Sequence, residues 1–285
     1  MTRWIDGKSV ARRIQERVAH DIATSFTPDT APGLATVLVG EDPASAVYVA
    51  SKRRTVRKLG MRDLHRTVPS SASHEEVATV IDALAQDPSV SGILLQLPLP
   101  DGLDAAALID RIPMVKDVDG LTTLSAGLLA RDQFGLRPCT PAGVIELLDS
   151  EGVTIDGANA VVVGRSDLVG RPMAQMLMNR DATVTVAHKG TVDLAAVTRA
   201  ADVLVVATGV RGLIGPEHVK PGATVVDVGI HRTSEGLVGD VRARELVGHA
   251  KRLTPVPGGV GPMTIATLMA NTVKAAEWAR ELNHR

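Results

Sequence analysis

Val10, Ile14, Val18 and Ile22 recur every four positions, the spacing of one helix face, and predict a helix over residues 9–23. The aliphatic run 34–39, closed by Gly40, predicts a buried strand. Residues 45–59 return to helical spacing and stop at Gly60. Residues 75–85 and 105–112 predict further helices, with a strand over 93–97 between them. After the irregular stretch 113–121 and a short helical segment at 126–130, Thr140-Pro141 opens a helix to about Leu148, with Thr140 read as N-cap and Pro141 in the first turn.

The texture then changes. Residues 160–163, 183–187, 203–207 and 224–228 are short, β-branched aliphatic runs bounded by polar or glycine residues. Helical stretches at 170–178 and 192–199 lie between the first three. Uninterrupted aliphatic strands alternating with helices indicate a parallel sheet covered on both faces, because each crossover lays a helix there. Residues 264–282 are helical again. The expectation is an α/β protein of two α/β domains, 1–137 and 138–263, the second with a Rossmann-like parallel sheet.

Composition narrows the class. Hydrophobic residues make up 45% and charged residues 22%, enough apolar surface for two cores. The aromatics are Trp4, Phe26, Tyr48, Phe134 and Trp278, too few to stack single-stranded nucleic acid. With 31 basic against 32 acidic residues and no long basic block, nothing favours a polyanion. Cys139 stands alone, and no His/Cys pairs have zinc-ligand spacing, so neither an intrachain disulfide nor a metal is expected. The chain opens without an apolar run and lacks the roughly eighteen successive apolar residues of a membrane span. These features read as a soluble protein of a reducing, cytoplasmic compartment.

Several motifs carry chemistry. A strand ends at Gly164 and a helix begins soon after, within Gly164-Arg165-Ser166-Asp167-Leu168-Val169-Gly170. Helix N-termini present unpaired N–H groups, so this junction suits a pyrophosphate, although Ser166 replaces the second glycine of the usual fingerprint and an ordinary tight turn fits equally. Tyr48 and Lys52 lie one helical turn apart and share a face. A lysine in an apolar cleft exchanges protons near neutral pH, whereas the run Lys52-Arg53-Arg54 also fits a solvated surface. Gln96 is an amide at an aliphatic strand end, a structural tie or a ligand hook. Asp117 and Asp119 are turn residues or ligand-gripping carboxylates. Residues 257–264 form a glycine-dense loop before a helix, either a linker or a close approach to a flat ligand. His20, His65, His74, His218, His249 and His284 have no paired spacing and receive no role; His188 and His231 follow strands of the second domain.

Taken in order, residues 48–52, 96–100, 116–120, 138–141, 163–172, 227–230 and 255–264 resemble the bifunctional methylenetetrahydrofolate dehydrogenase/methenyltetrahydrofolate cyclohydrolase family. The resemblance implies an N-terminal folate-binding domain and an NAD(P)-binding domain with a cleft between them, residues 264–285 packing back on the first, and a homodimer. It implies Lys52 as the catalytic lysine, with Tyr48, Gln96 and Asp119 around it. Leu95, Leu97, Pro257, Gly258, Gly259, Val260, Gly261 and Ile265 are its implied substrate contacts. Gly164, Arg165, Ser166 and Ile230 are the implied cofactor contacts. Many relatives carry Ser where this chain has Lys189. No acid stands about twenty residues past Gly164, where an NAD site would place one for the ribose 2′-hydroxyl, so NADP is expected over NAD, with Lys189 beside its 2′-phosphate. Tetrahydrofolate derivatives are the expected substrates, in one-carbon metabolism serving purine, methionine and histidine biosynthesis. A monofunctional dehydrogenase and a non-catalytic nucleotide-binding module are the rivals. A short-chain dehydrogenase is disfavoured because its Tyr-x-x-x-Lys follows the glycine turn, whereas here it precedes it.

Overall fold

A computed structural model describes residues 1–234 and 236–283; His284 lies outside them. In chain order the elements are β1 (Arg3–Trp4), α1 (Gly7–Ser25), β2 (Gly33–Val39), α2 (Pro43–Lys58), β3 (Arg62–Asp63), β4 (Arg66–Val68), α3 (His74–Gln86), β5 (Gly92–Leu95), α4 (Ala105–Ile109), α5 (Thr123–Ala130) and α6 (Cys139–Ser150). There follow β6 (Asn159–Val163), α7 (Gly170–Met178), β7 (Thr183–Ala187), α8 (Leu194–Thr198), β8 (Val203–Val206), β9 (Thr224–Asp227), β10 (His231–Thr233), β11 (Gly236–Val238), β12 (Arg252–Leu253) and α9 (Val260–Asn283).

The chain divides into two compact units, one of residues 13–139 with 265–285 and the other of residues 1–12 with 140–264. In the first, β2 pairs in parallel with β3, β4 and β5. All seven residues of β2 are buried, which is why its sequence runs without polar alternation except at Thr36. Its core joins Val37, Ile81, Ile93 and Leu108. The helix α2 starts where Asp42 accepts a hydrogen bond from the Ser45 N–H and Pro43 occupies the first turn.

The second unit holds a six-stranded sheet in the order β1-β12-β9-β8-β6-β7, every pairing parallel. Successive strands run outward from β6 in both directions, so the order reverses between β6 and β8. In open α/β sheets that reversal leaves a crevice at the carboxyl ends of the strands. The core gathers Val161, Leu204, Val206, Val225, Leu246 and Leu253.

Three expectations need correction. Residues 1–12 belong to the six-stranded unit, not to the N-terminal domain, because β1 pairs with β12 and Ile5 is fully buried. Thr140 lies inside α6 rather than capping it, and its hydroxyl meets that of Thr264 at 2.9 Å. Val260 and Gly261 already belong to α9, so the glycine-dense loop is shorter than the sequence suggested.

Candidate functional site

In the four-stranded unit a polar cluster is assembled from three separate segments. Lys52, one turn beyond Tyr48 on α2, donates from Nζ to Gln96 Oε1 at 3.0 Å. Gln96 follows directly on β5, whose last residue is Leu95, and its backbone N–H continues the pairing to Val37 O. The amide cannot turn freely, because its Nε2 donates to Leu97 O at 2.5 Å. Its oxygen is thereby presented to the lysine. Tyr48 is exposed, at 48%.

The two carboxylates after Lys116 separate. Asp117 is buried and accepts from the Leu121 and Thr122 N–H groups, so it is a structural tie. Lys116 caps α3 through Leu84 O, Ala85 O and Asp87 O. Asp119, two residues beyond Asp117, falls within the electrostatic reach of Lys52. Burial lowers the affinity of Lys52 for its proton, while the negative charge of Asp119 pulls it part of the way back. Burial raises the Asp119 carboxyl, and Lys52 opposes that rise. Cys139, buried beside them, is pushed well above the usual thiol range by the same desolvation and remains a neutral thiol.

Sequence reasoning missed what holds this cluster. Asn271, on α9, donates from one Nδ2 to Val118 O at 2.9 Å and to Arg137 O at 2.8 Å. Thr267, one turn earlier, donates to Cys139 O at 2.7 Å. A polar residue on a mostly apolar helix was the only available signal.

The six-stranded unit carries the second constellation. Gly164 ends β6 at φ +118°, and a Cβ there would lie 2.1 Å from Ala207 O. A Cβ on Gly170 would lie 2.2 Å from Gly164 O. Gly164 therefore lets the turns after β6 and β8 meet at the point where strand order reverses, and Gly170 lets the start of α7 pack on the Gly164 backbone. Ser166 Oγ accepts the Val169 and Gly170 N–H groups at the start of α7. Arg165 and Lys189 are both exposed, and no ion pair involving either is seen among the described residues. Ile230 is exposed at 42%, and its Cδ1 would lie 3.6 Å from a Cβ on Gly261.

Leu95 is buried and Leu97 partly so. Pro257 and Gly258 precede α9, with Gly258 at φ +106°, and Gly259 packs against Pro255 O. Ile265 lies on α9. His231 donates or accepts at Asp240 Oδ1, 2.7 Å away. Among the described residues no group of His, Cys, Asp and Glu could hold a metal ion, and no helix is long and apolar enough to cross a membrane.

Residues 5–119 match the catalytic domain of tetrahydrofolate dehydrogenase/cyclohydrolase, and residues 138–280 match the NAD(P)-binding domain of the same enzymes. The chain belongs to the tetrahydrofolate dehydrogenase/cyclohydrolase family. Within the family it is 62% identical over 283 residues to the bifunctional protein FolD 2 of Frankia alni, covering 98% of this chain and 97% of that one. The crystal structure of the bifunctional FolD methylenetetrahydrofolate dehydrogenase/cyclohydrolase from Campylobacter jejuni superposes with a TM-score of 0.96 at 41% identity, covering 98% of this chain and all of that one. The Trypanosoma brucei enzyme, solved with NADP cofactor and inhibitor, gives 0.92 at 36% identity and 98% coverage of each chain.

Proposed function

We propose that this chain is a bifunctional enzyme of folate one-carbon chemistry: it oxidises 5,10-methylenetetrahydrofolate to the methenyl form with NADP⁺, then hydrolyses that to 10-formyltetrahydrofolate. The observation that carries the reading is the amine of Lys52, desolvated, fixed 3.0 Å from Gln96 Oε1 and poised against Asp119. Likeness over nearly the whole chain to solved enzymes whose names state both activities supports it.

The cofactor suits the residues of the six-stranded unit. Gly164 and Gly170 leave backbone space at the start of α7, where N–H groups favour phosphate. Arg165 and Lys189 are free cations for a 2′-phosphate, and the end of β7 offers no acid to bind a ribose 2′-hydroxyl. Ile230 supplies a backbone contact near the nicotinamide. Bound there, NADP⁺ supplies the hydride acceptor. A preference for NADP⁺ over NAD⁺ of at least about tenfold in kcat/KM is expected, about 1.4 kcal/mol, and Lys189→Ala erodes it; equal use of both would refute the assignment.

Hydrolysis falls to the other cluster. Water adds to the methenyl carbon, a proton leaves the attacking oxygen, and one must reach the ring nitrogen as its bond to carbon breaks. Lys52 takes and returns that proton, a role favoured by the burial that lowers its proton affinity. Gln96 accepts one lysine N–H and so aims the rest of the amine. Asp119 holds the amino group and ring N–H of the pterin, with Tyr48, Leu95 and Leu97 alongside. Lys52→Met is expected to slow methenyltetrahydrofolate hydrolysis by about 10²–10⁴-fold while NADP⁺ still binds. Loss of methenyl absorbance at the wild-type rate would reject Lys52 as the proton carrier.

A homodimer and a reducing compartment complete the proposal. The edge strand β7 exposes Thr183, Thr185 and Val186, a surface able to pair with a second copy, and Cys139 is an unpaired thiol. Sedimentation equilibrium at a single-chain mass would exclude the dimer.

A further inference from the structure

The six-stranded unit buries two carboxylates that the reactions above do not use. Asp227 ends β9 and is 2% exposed; Asp240, just after β11, is fully buried. Buried charges are rare unless fully partnered, and these two are heavily engaged. Asp240 Oδ2 accepts from Thr208 N at 2.7 Å, Thr208 Oγ1 at 2.9 Å and Gly209 N at 2.9 Å, while Oδ1 meets His231 Nε2 at 2.7 Å. Asp227 Oδ1 accepts from Gly229 N and Asp240 N, and its Oδ2 from Val241 N, each at 3.0 Å.

The glycines around them are shaped to the carboxylates. A Cβ on Gly229 would fall 2.1 Å from Asp240 Oδ1, and one on Gly239 would fall 1.8 Å from Asp227 Oδ2. The pair thus ties three loops together: the turn after β8, the turn after β9 and the exit from the β10–β11 hairpin. The first of these packs directly on Gly164, at the point where strand order reverses, and the second carries Ile230. The adenosine end of a nucleotide would lie elsewhere, toward Arg165 and Lys189 at the ends of β6 and β7.

We propose that Asp240, held in turn by Asp227, is a positioning residue for the nicotinamide end of the cofactor site, setting the backbone of residues 207–210 and 228–230. The assignment rests on the nucleotide-binding reading above. Asp240 touches no reacting atom; it fixes the turn after β8 by accepting the Thr208 and Gly209 N–H groups, and reaches the turn after β9 through His231 Nε2 and through Asp227, which accepts from both Gly229 N and Asp240 N, so its loss should affect one end of the cofactor only.

Titration calorimetry of the full chain with NADP⁺ and with adenosine 2′,5′-bisphosphate, which has the phosphates but no nicotinamide, tests this. Asp240→Ala is expected to weaken NADP⁺ at least tenfold, to leave the bisphosphate within about twofold, and to leave hydrolysis of methenyltetrahydrofolate unchanged; Asp240→Asn, which keeps an acceptor oxygen, should recover part of the loss. Equal weakening of both nucleotides would reveal a general structural role and overturn the assignment, as would unchanged binding of both. If Asp240→Ala does not fold, Thr208→Val is read the same way, with a smaller selective loss of about threefold expected and no loss decisive against it. A wild-type protein that binds neither nucleotide overturns the cofactor reading itself, and this assignment with it.

Discussion

Single residues at this site act through their surroundings. In the sequence Gln96 stood out as an amide at an aliphatic strand end and Lys52 by its one-turn spacing from Tyr48, although its basic neighbours also fit a solvated surface. Spacing alone could not tell Asp117 from Asp119, and only the family resemblance pointed to Asp119. Only the fold shows that one ties down a loop by accepting two N–H groups while the other shares a field with Lys52. Asp227 offers a prediction at this scale. Burial pushes its carboxyl up to about 6, with the charge of Asp240 adding to the rise against three N–H donors. Because the folded value exceeds the ordinary 3.8, its protonation favours the folded state: this contribution is complete below the ordinary carboxylate range and is lost as pH climbs through about 6. A rise of about two units corresponds to roughly 3 kcal/mol. The urea midpoint of the wild-type protein is therefore expected to gain on that of Asp227→Asn as pH falls from about 8 to 5. A difference that stays constant with pH would contradict it.

At the scale of elements, long periodic segments were readable and the points where they end were less so. α7 and β7 match their predicted spans, since an amphipathic or aliphatic run fixes its own period. The helix α9 begins four residues before its predicted start because Val260, Gly261 and Pro262 lack any helical signal of their own; packing on neighbouring residues of the same unit, such as Met263 against Gly143, decides their conformation. The turn joining β6 to α7 shows the reverse case, a local sequence with one tolerable backbone. Gly164→Ala places a Cβ against Ala207 O at a φ that side chains avoid, at a cost of at least about 1–2 kcal/mol. The expected outcome is a lower melting temperature and at least tenfold weaker NADP⁺ binding, with methenyltetrahydrofolate hydrolysis by the folded fraction retained. Calorimetry and the absorbance assay on one preparation would read both, and intact NADP⁺ affinity would show that this turn does not hold the cofactor.

For the whole molecule, the chain does not divide at one point. It enters the six-stranded unit first through β1, leaves it along α1, and returns at α6. Ile5 is fully buried next to β1, its N–H donating to Leu253 O. Ile5→Ala is expected to destabilise the protein by about 2–4 kcal/mol, measurable by urea denaturation; a change below about 1 kcal/mol would mean that the N-terminal strand contributes little. No reading of Arg3-Trp4 alone predicts that strand, since two residues have no period and their pairing depends on β12, some 250 positions later. By itself the sequence determined the α/β class, the parallel sheet and the glycine turn, because hydrophobic period and glycine placement are local properties, while the proposed roles of Lys52, Gln96 and Asp119 came from the family resemblance. The tertiary structure alone decided that Asn271 ties together the segments around Val118 and Arg137, that Asp227 and Asp240 bind three loops, and that the first dozen residues join the other sheet. Each of these depends on hydrogen bonds or burial between residues far apart in the chain, and only a folded backbone brings such partners within 3 Å.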